Sequence, residues 1–134
     1  AGSPGRLLEA VETGLAAWHD ELAPGLAKAD RGEYDPMFSP KMAGLVEGWA
    51  KAWADQDAKR SKEAANRMAM DRLFSIIGEH ARRGLHDPDR AVRSLGMIDA
   101  VSRAERRLAA NVALATVLEG LAADLPAGGA AVGV

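Results

Sequence analysis

Apolar residues recur three and four positions apart along most of the chain, without the strict alternation of a strand. Ser3-Pro4 has the form of a helix start: a side-chain oxygen for free amides, then a residue whose φ is already helical. Leu7, Leu8, Val11 and Leu15 follow at helical spacing, and Gly14 is placed to end that helix in a left-handed turn. A second stripe runs Leu15, Trp18 and Leu22, with Leu26 beyond Pro24-Gly25, a pair expected to kink or end the helix. Residues 30–38 read as a polar linker. Ser39-Pro40 repeats the start pattern, with Phe38 positioned to pack back on the first turn. Leu45, Trp49 and Trp53 then stand four apart on one helical face. The stretch from Asp55 to Lys62 is almost wholly polar, and a break is expected near Arg60-Ser61.

Beyond that break, Ala65, Met68, Leu73, Ile76, Ile77 and His80 suit a long amphipathic helix over 61–83, ended by Gly84-Leu85-His86. Asp87-Pro88 predicts the start of the next helix, reaching residue 109, with Val92, Leu95, Ile98, Val101, Ala104 and Leu108 as its buried stripe. The connection between these helices is short, so they should pack antiparallel. Ala110-Asn111 is the expected joint to a final helix bearing Val112, Leu114, Val117, Leu118, Leu121 and Leu125. From Pro126 to Val134 the chain is low in complexity and reads as a flexible tail. The pattern predicts an all-α fold, a helical bundle of about five to six helices with no sheet.

Composition agrees. A chain of 134 residues with 48% hydrophobic residues suits one domain with a sizeable core. Aromatic residues make up 4%, while Ala, Leu, Arg and Glu abound, a mixture that favours helix. The formal charge of −2 offers no basic footprint for nucleic acid, so direct DNA binding is not expected. The lack of cysteine excludes disulfides and thiol chemistry and fits a cytoplasmic setting. No apolar run approaches the ~18 residues needed to cross a bilayer, and no membrane association is expected. The segment Ala1–Arg6 reads as the middle of a protein rather than a natural start.

Catalytic constellations are hard to find. His19, His80 and His86 have no carboxylate or second histidine at ligand spacing on one helix face. His80 is expected to be a packed side chain, and His86 beside Asp87 suggests a hydrogen bond at helix entry. Asp55/Asp57 and Asp87/Asp89 lie two apart, which on a helix points them to different sides. No phosphate loop and no serine elbow occur. No catalytic residue, metal or cofactor is therefore assigned. Trp18, Trp49 and Trp53 read as core. Arg103, Arg106 and Arg107 form the densest basic cluster, on one side of a helix near its C-terminus. That pattern suits a solvated face, or a contact with another subunit or a phosphate.

Two stretches resemble the delta-prime family of bacterial DNA polymerase III clamp-loader subunits. Gly2-Ser3-Pro4-Gly5-Arg6 resembles the family's sensor-2 segment at the start of the last lid helix. Met97 through Val112, with Ala104-Glu105-Arg106 near the helix end, Asn111 at the joint and the Leu-rich segment Leu114–Leu125 after it, resembles the end of the family's collar domain. Gamma/tau-type subunits share this architecture. The resemblance implies three parts: residues 1–14 as the last helix of an AAA+ lid, 15–125 as the helical collar, and 126–134 as the tail. It implies a role in loading the sliding clamp during DNA replication, with the other clamp-loader subunits as partners. Arg6 takes the position of the sensor-2 arginine that reaches nucleotide phosphates, and is vestigial where the nucleotide site is degraded. The ATPase core lies outside such a fragment, so the fragment itself is not an enzyme and carries no cofactor. Arg103, Arg106 and Arg107, with the outward side of the last helix around Glu119, are the expected partner contacts. Other readings are a stand-alone helical adaptor that binds another protein, a helical DNA-binding domain using the three arginines, and, last, an enzyme.

Overall fold

The computed structural model describes the backbone of residues 4–57, 59 and 61–132, with side chains described from 17 to 127 except at 58 and 60. Five helices follow in order: α1 (Pro4–Asp30), α2 (Phe38–Asp55), α3 (Lys62–Gly84), α4 (Ala91–Ala109) and α5 (Leu114–Val132). No strand occurs among the described residues. One apolar cluster draws on every helix: Trp18 and Leu22 from α1, Met42 and Val46 from α2, Leu73 and Ile77 from α3, Met97 and Ala100 from α4, Leu118 and Leu121 from α5. Each helix is thus held by the burial of one stripe.

The two breaks expected in α1 do not form. The helix runs through Gly14 and through Pro24-Gly25. Trp18, Leu22, Leu26 and Ala29 are all buried, so packing on both sides of Pro24 outweighs the backbone hydrogen bond that proline cannot donate. Gly25 has a different use: a Cβ there would collide with the Phe38 ring, so the glycine is the notch that seats α2 on α1. The helix stops at Gly32, whose φ is 76°. The Gly32 N–H donates to Ala29 O at 2.9 Å and the Glu33 N–H to Lys28 O at 2.9 Å, the paired bonds of a left-handed C-cap.

Helix α2 starts at Phe38, earlier than Ser39-Pro40 suggests. Asp35 organises the entry: its Oδ1 accepts from the Met37 N–H at 3.0 Å and its carbonyl from the Phe38 N–H at 3.1 Å. Pro40 falls in the first turn, where an N–H has no partner anyway. The buried face is Phe38, Met42, Val46 and Ala50. Leu45, Trp49 and Trp53 flank it, half-buried. Helix α3 begins as expected, with Ser61 at the N-cap accepting from the Ala64 N–H at 3.0 Å. It ends at Gly84.

Helix α4 starts at Ala91 rather than at Pro88. Asp87 and Pro88 form a turn instead, in which Asp87 Oδ1 accepts from the Asp89 N–H at 3.0 Å and its carbonyl from the Arg90 N–H at 2.9 Å. His86 takes no part through its side chain. Helices α3 and α4 are in contact, and a recess between them is lined by Asp71, Phe74 and Gly78 of α3 and by Ile98, Val101 and Glu105 of α4. The expected stripe on α4 holds at Val101 and Ala104, which are buried, and at Ile98 and Leu108, which pack against the core, but fails at its first two positions. Val92 and Leu95 are 53% and 54% exposed, while Ser94, Gly96, Met97, Ala100, Val101 and Ala104 are buried. Close approach accounts for Ser94: a Cβ on Gly84 would collide with Ser94 Oγ, so a small residue stands inward in the first turn of α4, with Met97 buried beyond it.

At the α4–α5 joint Asn111 has φ 63°. Its N–H donates to Leu108 O at 3.0 Å and the Val112 N–H to Arg107 O at 3.0 Å, the same cap as at Gly32. Helix α5 continues through Pro126 to Val132, where a tail is expected from composition. Arg93 Nη1 donates to the Pro126 carbonyl at 2.9 Å, tying this end of α5 to α4.

Candidate functional site

The basic cluster of α4 divides in two. Arg103 and Arg107 stand one turn apart and both reach across to Asp124 of α5, with Arg103 Nε at 3.9 Å and Arg107 Nη1 at 3.5 Å from Asp124 Oδ2. Arg103 also lies 3.8 Å from Asp99. The Arg107 guanidinium rests against Gly120, where a Cβ would meet Nη1 at 2.7 Å. These two arginines brace the α4–α5 pair, each with part of its side chain in solvent. Arg106 is exposed and makes no ion pair among the described residues, and Glu119 is exposed on α5. Arg6 stands in the first turn of α1; its side chain lies outside the described residues.

A second cluster joins residues that linear spacing keeps apart. Asp30, at the end of α1, accepts on one oxygen from His80 Nε2 of α3 at 2.9 Å and from Arg90 Nη2 at 3.1 Å. The Arg90 nitrogen is 3.5 Å from the imidazole. The three side chains are partly buried and connect the ends of α1 and α3 to the entry of α4. The histidine, expected to be merely packed, therefore has a carboxylate partner from 50 residues away. An Asp-His pair can orient a base, but the adjoining recess of about 320 Å³ is lined by His19, Asp20, Ala23, Leu26, Ala27, Asp30, Ile76, His80 and Arg83. No serine, threonine, cysteine or lysine is among them to act as a nucleophile. Chemically the cluster is a clasp: a shared carboxylate between an imidazole and a guanidinium.

The third cluster is aromatic. Trp49 and Trp53 stack with centroids 6.2 Å apart and planes at 12°. The Arg72 guanidinium of α3 covers the Trp49 ring at 5.1 Å. Read from sequence as core, the two tryptophans instead form the half-exposed edge of the α2–α3 contact. Elsewhere the charges are ordinary surface pairs. At Glu33 the hydrogen bond and charge of Arg31 hold the carboxyl below its usual value.

No family model, curated protein or solved structure matches the chain. Among the described residues no three His, Cys, Asp or Glu side chains gather as a metal site, and no helix is long and apolar enough to cross a membrane.

Proposed function

We propose that the chain is the C-terminal part of a DNA polymerase III clamp-loader subunit of the delta-prime type, a helical collar that holds neighbouring subunits in a cytoplasmic replication complex. The observation that carries the reading is the end of α4. The Ala104-Glu105-Arg106-Arg107 segment closes that helix, Asn111 turns the chain in a left-handed cap, and the Leu-rich α5 folds back on α4. This is the order of features on which the family resemblance rests, and the cap gives its asparagine a physical reason. Support also comes from Arg6 in the first turn of a helix that opens at Pro4. The chemistry agrees with an assembly role: Asp30, His80 and Arg90, and Arg103, Arg107 and Asp124, are engaged with one another between helices.

On this reading the outward faces of α4 and α5 near Arg106 and Glu119 meet neighbouring subunits, while Arg103 and Arg107 keep the two helices in register. The fragment neither binds nor hydrolyses ATP, because a lone sensor arginine lacks the amide cradle that holds phosphates. The test is co-expression of the tagged chain with the remaining clamp-loader subunits of its own source. The reading expects co-purification that is lost in an Arg106→Glu/Glu119→Arg variant whose melting temperature is unchanged. Absence of any clamp-loader subunit from the purified material would point to an adaptor for some other protein.

A further inference from the structure

We draw no further inference here: the strongest candidate, the end of the bundle where the α1–α2 connection, the α3–α4 turn and the first turns of α4 expose Tyr34, Met37, Leu85, Val92 and Leu95, carries nothing, because nothing in the structure shows what covers it.

Discussion

Glycine inside a helix ordinarily weakens it, and Gly25 shows when it does not. Its missing Cβ leaves room for the Phe38 ring, so Gly25→Ala should destabilise the fold by about 1–3 kcal/mol through overpacking. In α2, Gly44 and Gly48 have nothing within 4 Å of where a Cβ would stand. Alanine at either should stabilise by about 0.5–1 kcal/mol, the ordinary helix preference. Denaturant melts of the three variants check both signs at once; a stabilised Gly25→Ala would mean that Phe38 is not seated there. Sequence conveyed that Pro24-Gly25 is unusual and left its use open, since a notch is recognised only by what fills it. Asp30 and His80 were equally illegible, because their meeting depends on how α1 lies along α3. Asp30→Ala should lower stability by about 1–3 kcal/mol, leaving Arg90 and His80 without their shared acceptor. A melting temperature unchanged by that substitution would show the clasp to be decorative.

Helix stops and starts divide by mechanism. The start of α3 follows from the polar break near Arg60-Ser61, and the structure adds the cap, in which the Ser61 hydroxyl accepts from the Ala64 N–H. Asn111 was legible as a joint, and its φ of 63° gives it a test. Asn111→Gly should be tolerated, whereas Asn111→Ala should destabilise by about 1 kcal/mol from the left-handed backbone alone. Equal melting temperatures for the two would contradict the cap assignment. The first turns of α4 depart from the hydrophobic pattern, which favours Val92 and Leu95, because close packing against Gly84 places Ser94 inward, whereas Val101 and Ala104 lie inside as the pattern expects. Val92 and Leu95 outside and Ser94 inside are two results of one constraint. The α4–α5 brace gives a third test at this scale. Reversing Arg103 and Arg107 to glutamate sets two like charges beside Asp124, so the domain's own melting temperature should fall. The loss should be about 1–2 kcal/mol, because surface pairs are individually weak. Single reversal of Arg106, which has no such partner, should leave the melt within about 0.5 kcal/mol of wild type. If the double reversal melts like the wild type, the two arginines are free for a partner after all.

For the molecule as a whole, the all-α class followed from periodicity and composition, and one apolar cluster joins all five helices. The proposed function rests on the resemblance at the two ends of the chain, because assembly surfaces have no fixed spacing of chemical groups. The structure adds what spacing could not supply: which arginines are braces, and which end of the bundle exposes its apolar residues. On the proposed function, this chain assembles with clamp-loader subunits. Native mass spectrometry of the chain mixed with those subunits from its own source tests it most directly. The account predicts a hetero-oligomer containing this chain, weakened when Arg106 and Glu119 are reversed. Detection of the chain only by itself, with the other subunits folded and present in excess, would contradict it.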